Sequence, residues 1–148
     1  MICAGERPGE VKERDWELRL MHPNERLLRR EYDARAQRDD ASLAAILTDD
    51  VVWHVPGRSA ISGEYRGKAE VMEYVRRRRE LAADTFEISV HDVLANDEHG
   101  LVIASGRAKR RGKAVGWRAH GLYRFEDGKI AECWLLPEDQ TVFDEIWA

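Results

Sequence analysis

Trp117-Arg118-Ala119-His120-Gly121-Leu122-Tyr123-Arg124-Phe125-Glu126-Asp127-Gly128-Lys129-Ile130-Ala131-Glu132-Cys133-Trp134-Leu135-Leu136 is the stretch that decides the fold. Two runs rich in apolar and aromatic residues flank Glu126-Asp127-Gly128, a strong hairpin signal, so Trp117–Phe125 and Ile130–Leu136 read as antiparallel neighbours. Upstream, Leu101–Lys109 is another strand, turned by Arg111-Gly112-Lys113. Before it Phe86, Ile88 and Val90 alternate with Glu87, Ser89 and His91, a period of two that runs to about Ala95 and ends in the turn Asn96–Gly100. Turns this short cannot carry the crossovers that parallel strands need, which excludes a doubly wound parallel fold.

The residues before this meander have a helical period. Pro23-Asn24 opens a helix with Asn24 as its expected N-cap, and Leu28, Tyr32 and Ala36 recur every four residues beside Leu27. Asp39-Asp40 caps a short second helix carrying Leu43, Ile46 and Leu47, which Thr48-Asp49-Asp50 ends. Val51–Val55 reads as a strand closed by Pro56-Gly57, and Lys68–Leu81 as a helix with Val71, Met72 and Val75 inward. Pro137 ends the last strand, leaving Val142, Phe143, Ile146 and Trp147 for packing. Helices lead and strands follow, so the expectation is α+β: a cone-shaped, curved antiparallel sheet wrapped around N-terminal helices, an α+β barrel open at one end. Residues 1–22 read as an N-terminal extension and 23–148 as the domain.

Composition narrows the function classes. The 148 residues carry 24 Lys and Arg against 28 Asp and Glu, a formal charge of −4, which argues against nucleic acid as a partner. No run is long and apolar enough for a membrane span, and the charged N-terminus lacks a signal-peptide core, so no membrane and a cytoplasmic setting are expected. Cys3 and Cys133 make neither a disulfide framework nor a metal spacing, and no nucleotide or phosphate-loop fingerprint is present, so no metal and no cofactor are expected. Arg76–Arg79 reads as a solvated run near a helix C-terminus, where cations complement the dipole.

The order and spacing of Asp50–Gly57, Gly63–Gly67, Asp92–His99, Tyr123–Ile130, Trp134, Asp139-Gln140 and Asp144–Trp147 resemble the nuclear-transport-factor-2-like superfamily, in particular its SnoaL-like and ketosteroid-isomerase-like group. The resemblance covers about residues 24–148. It implies a cofactor-independent enzyme acting on a cyclic, mostly apolar carbonyl compound or epoxide by proton transfer, as isomerase, cyclase or dehydratase. It equally admits a non-catalytic ligand-binding or dimerisation domain, because fold alone does not choose a reaction. A curved sheet with helices on one face leaves the other open, so a homodimer through the outer face is expected.

His120 is the leading catalytic candidate, being the residue type suited to proton transfer near neutral pH. Its facing depends on the hairpin. A three-residue Glu-Asp-Gly loop puts it opposite Trp134, the preferred register; a two-residue Asp-Gly turn puts it opposite Leu135. The family's cyclases carry an acid where this sequence has Trp134, and its isomerases an aspartate base on the first strand, where Val51–Val55 has none. His54 could serve as base there, and its neighbour Trp53 points to the other face. Asp139 is either a mouth carboxylate for acid–base work or a cap for the terminal segment, and Glu132 shares the side of His120 in the preferred register. Trp53, Tyr32, Tyr65, Trp117 and Trp134 are the expected walls for a small apolar or cyclic ligand, while Phe86 reads as core.

Overall fold

The computed structural model describes residues 20–148. Most of the expected N-terminal extension therefore lies outside the described residues. In chain order the elements are α1 (Pro23–Ala36), α2 (Asp40–Ala45), β1 (Leu47–Val55), β2 (Gly63–Arg66), α3 (Gly67–Leu81), β3 (Glu87–Ala95), β4 (His99–Arg110), β5 (Lys113–Glu126), β6 (Lys129–Pro137) and α4 (Gln140–Ile146). The strands form one sheet in the order β2-β1-β6-β5-β4-β3. Every pairing is antiparallel except β1 with β6, which is parallel and joins the N-terminal half to the meander. The architecture is the α+β cone: α1 packs across β3 and α3 across β1, so both helices lie on the inner face of the curved sheet.

Local chemistry explains the boundaries. Pro23 occupies the first helical position, where its missing N–H costs nothing, and the N-cap is His22 rather than Asn24: His22 Nδ1 accepts from Asn24 N at 3.0 Å. The Asn24 side chain donates instead to the carbonyls of Asn96 and Asp97, tying the start of α1 to the β3–β4 turn. The charged Thr48-Asp49-Asp50 segment is part of β1 rather than a break, and the polar segment after Pro56 contributes the edge strand β2.

The β5–β6 hairpin settles which face each side chain takes. Asp127 and Gly128 both have left-handed backbone (φ 50° and 73°), and Glu126 pairs with Lys129. This is a two-residue turn of the kind whose twist matches the flanking strands. One step further Phe125 pairs with Ile130 but Arg124 pairs with Glu132. Ala131 is the extra residue of a bulge, and it follows buried Ile130 into the core. The bulge moves His120 opposite Leu136 and Trp134 opposite Leu122, so the two-residue register holds only for the first pairs and the preferred three-residue register, with His120 opposite Trp134, holds nowhere. Beyond it Tyr123, Cys133 and Leu135 face inward, while His120, Leu122, Arg124, Glu132 and Trp134 face out.

Candidate functional site

The inner face of the cone closes over an aromatic cavity of about 30 Å³ for a water-sized sphere, room for a water or two. Tyr32 and Arg35 reach it from α1, Tyr74 and Arg78 from α3, and Trp53, Trp117 and Tyr123 from the sheet. Two glycines make this packing possible. A Cβ on Gly106 would lie 2.3 Å from the Trp117 ring, and one on Gly121 would lie 2.5 Å from the Tyr123 ring. Both aromatic rings therefore lie against bare backbone of the sheet. The far end is closed by Trp147, fully buried, whose segment is clamped by Arg110 donating to the carbonyls of Leu81, Ile146 and Ala148.

Behind this wall sits Glu31, 0% exposed. It follows Leu27 and Leu28 at helical spacing, so the inward stripe of α1 carries a carboxylate into the core. One oxygen takes a hydrogen bond from Arg35, and the other accepts from the Tyr123 hydroxyl at 3.0 Å. The Tyr123 oxygen lies 3.1 Å from the Tyr32 hydroxyl, which borders the cavity. A continuous hydrogen-bonded chain thus runs from the cavity through two phenols to a buried carboxylate.

The electrostatics follow from burial. Desolvation pushes the Glu31 carboxyl above its ordinary value of 4.5, against the pull of the Arg35 guanidinium and the Tyr123 hydroxyl. Arg35 is held charged by Glu31 despite its own burial. Of the pair, the carboxylate is the member that can give up its charge, because a guanidinium does not deprotonate in proteins. Burial also raises Tyr32 and Tyr123 above the ordinary phenol value, so both are neutral hydroxyls, and it raises the Cys133 thiol in the same cavity. Arg78 is 6% exposed, donates to the Tyr74 hydroxyl at 3.1 Å and lies 4.1 Å from the Phe86 ring centre. Desolvation lowers its pKa from the ordinary value.

The expected catalytic residues are elsewhere. His120 is on the outer face: Nδ1 accepts from the Ala104 backbone N–H at 3.2 Å, where the β4–β5 ladder is interrupted, and Nε2 meets Glu138 at 2.9 Å. Both ring nitrogens are occupied in bracing the sheet. His54 is also outside, stacked on Trp134 at 5.3 Å, with Nε2 2.6 Å from Glu132 and Nδ1 3.3 Å from Glu64. Burial pushes Glu132 up, but its hydrogen bonds from His54 and Arg124 outweigh it and hold the carboxyl below its ordinary value. Asp139 caps α4, accepting from Val142 N at 3.0 Å. The three do not converge. Among the expected walls, Tyr32, Trp53 and Trp117 line the cavity, whereas Trp134 is outside and Tyr65 packs on Tyr74 and donates to the Ile61 carbonyl. Phe86, read as core, lines the cavity as well.

Sequence reasoning missed Glu31, Arg35, Tyr74, Arg78 and Tyr123. A signal existed for two of them: Glu31 extends the stripe of Leu27 and Leu28, and Arg78 extends that of Val71, Tyr74 and Val75, so one arginine of the supposedly solvated run points inward. Among the described residues no cluster of three or more His, Cys, Asp or Glu side chains is placed to hold a metal, and no helix is long and apolar enough to cross a membrane.

A curved sheet wrapped on its inner face by helices is the fold that the similar solved structures share. The model of the SnoaL-like domain matches residues 28–133. The chain belongs to the SnoaL-like domain family. This SnoaL-like domain is 32% identical over 124 residues to an uncharacterized protein of Mycobacterium tuberculosis strain H37Rv, covering 82% of the chain and 94% of that relative. Among solved structures it is similar to Bal32a from a soil-derived mobile gene cassette, at 26% identity and TM-score 0.82, covering 85% of this chain and 97% of the other. An NTF2-like protein of unknown function from Burkholderia pseudomallei shares the fold, with 21% identity, TM-score 0.78 and coverage of 86% and 99%.

Proposed function

We propose that this SnoaL-like domain binds a cyclic, mostly apolar carbonyl compound at the mouth of the aromatic cavity, where Tyr32 and Phe86 also line an outer depression of about 250 Å³, and catalyses proton transfer, as an isomerase, cyclase or dehydratase without a resident cofactor. The observation that carries the reading is the Tyr32–Tyr123–Glu31 chain. A C–H next to a carbonyl gives its proton to the Tyr32 oxygen as the Tyr32 proton passes to Tyr123 and the Tyr123 proton to Glu31. Both phenols end neutral, Glu31 ends protonated, and the electron pair of the broken C–H bond becomes an enolate. Running the chain backwards returns the proton, at the same or a different carbon. Burial suits Glu31 to this role, since a carboxylate with raised pKa is a stronger base than a solvated one. His120, His54 and Asp139 take no part.

The test is solvent-deuterium incorporation into 2-tetralone followed by NMR. Protein-dependent exchange is expected in the wild type and in His120→Gln, and should be lost in Tyr32→Phe and Glu31→Gln. Exchange that survives both losses, or never occurs, rejects the chain. One observation favours a non-catalytic binding domain instead: the cavity is small and the chain's hydroxyls satisfy one another. On that reading Tyr32→Phe binds as well as the wild type and neither exchanges deuterium.

The partner proposed is a second copy. The outer face carries half-buried Leu101, Ile103, Leu122 and Trp134, with Leu136 and Leu94 at 41% and 51% exposure. Such a patch on a sheet face suits a self-complementary contact. Sedimentation at micromolar concentration is expected to give twice the monomer mass; a monomer rejects the dimer.

A further inference from the structure

Buried N–H groups almost always find an acceptor, so those that do not are informative. Among the described residues three side-chain N–H groups are buried without a partner: Nε of Arg35, Nε of Arg78 and Nε1 of Trp147. All three belong to residues that line the one inner cavity. None of the side chains lining it is a carboxylate, because Glu31 sits behind the wall.

The charge balance points the same way. Arg35 and Arg78 contribute two positive charges, and the carboxylate of Glu31 supplies at most one negative charge. Among the described residues no carboxylate contacts Arg78, which feels Glu31 only at a distance and touches the Tyr74 hydroxyl and the faces of Phe86 and Tyr74. Burying a charge without a partner is costly, and aromatic faces offset only part of it. Arg35, Arg78 and Phe86 also line an adjoining outer depression of about 250 Å³. The two carboxylates there are engaged by other cations, Asp84 by Arg38 and Glu87 by Arg107. A ligand standing in the depression can therefore reach both guanidiniums without filling the inner cavity.

We infer that the ligand is a monoanion, a small aromatic or cyclic carboxylate whose oxygens are held by Arg78 and Arg35 at the junction between cavity and depression. This rests on the reading that the cavity is the ligand site and gives that ligand its chemical class. One negative charge neutralises the surplus positive charge, the carboxylate oxygens accept from the Arg78 and Arg35 guanidiniums, and the ring meets Phe86 and Tyr32. Planar, bidentate recognition of a carboxylate is the task to which a guanidinium fork is suited.

The test compares trans-cinnamate with its neutral isostere cinnamamide by calorimetric titration, on the full chain, in the wild type and in Arg78→Met. Cinnamate is expected to bind the wild type at least tenfold more tightly than the amide, with affinity falling as salt rises. Arg78→Met should lower cinnamate affinity at least tenfold and amide affinity much less, so that the preference disappears. It should also unfold at the same or a higher temperature without ligand, since it removes a buried charge; Arg78→Gln, which removes the same charge but keeps a polar head, serves as the second variant if Met fails to fold and should lose the preference too. Equal binding of acid and amide, or a preference that persists in the Met or Gln variant, overturns the inference. If neither compound binds but 2-tetralone exchanges deuterium, the anion site fails and the proton chain stands. If cinnamate binds through Arg78 but no exchange occurs, the anion site stands and the chain fails.

Discussion

Replacing Glu31 with glutamine separates two accounts of the buried pair with Arg35. Breaking a buried ion pair by removing one partner commonly costs about 3–5 kcal/mol, because the other charge is left alone. The geometry argues for much less here. Glutamine keeps one acceptor for Arg35, and its amide can donate to Tyr123, whose hydroxyl then turns toward Tyr32. Desolvation raises Glu31 above 4.5 in spite of Arg35, so the folded protein holds the protonated acid more tightly than the unfolded chain does. The sign follows from linkage: this raised carboxyl contributes its full stability below the unfolded value, and that contribution is lost as pH rises toward the folded value. Glutamine mimics the protonated acid at every pH. The variant should match the wild type within about 1 kcal/mol near pH 4.5 and gain on it by up to about 1.4 kcal/mol per pH unit above that, levelling off at the folded pKa. Urea unfolding of both proteins between pH 4.5 and 8 measures the difference, and groups common to both cancel. A variant that loses 3 kcal/mol or more near neutral pH, with a deficit that grows on raising the pH, would refute the dominance of desolvation.

Gly121→Ala puts a methyl group against the buried Tyr123 ring, so a loss of about 1–3 kcal/mol is expected in chemical unfolding, together with loss of deuterium exchange as Tyr123 shifts off Glu31. Asp139→Ala removes the cap of α4 and should cost about 1 kcal/mol of thermal stability without changing ligand affinity, whereas a loss of affinity alone would return Asp139 to the site. His120→Gln should leave cinnamate affinity within twofold by calorimetry, since the imidazole lies on the far face of the sheet; a tenfold loss would mean that the ring reaches the cavity.

The fold was legible because its signals are local. Asp127-Gly128 sets a tight turn, alternation from Phe86 onward gives strands, and Leu28, Tyr32 and Ala36 mark a helical face. The parallel contact between β1 and β6 was not, since it joins segments about eighty residues apart and no turn chemistry announces it. The site was only partly legible for a related reason. Each side chain in a sheet has two faces to choose from, and a bulge of one residue exchanges them. Ala131 is such a residue: small, apolar and unremarkable in the sequence, it takes a core position beside Ile130 and sends Glu132 and Trp134 outside, while His120 faces out by the unbroken alternation of β5. Helices carry no such ambiguity. Glu31 and Arg78 lie on stripes that Leu27, Leu28, Val71 and Val75 define, and the stripe places them inside whatever their charge. The reading favoured histidine as the residue type for proton transfer; the structure turns His54 and His120 outward and instead buries a carboxylate, raised by desolvation and reached through phenols, behind the cavity. A charged residue on an apolar helical stripe was therefore the better pointer to the inner face of the cone than a histidine in a strand whose register was open.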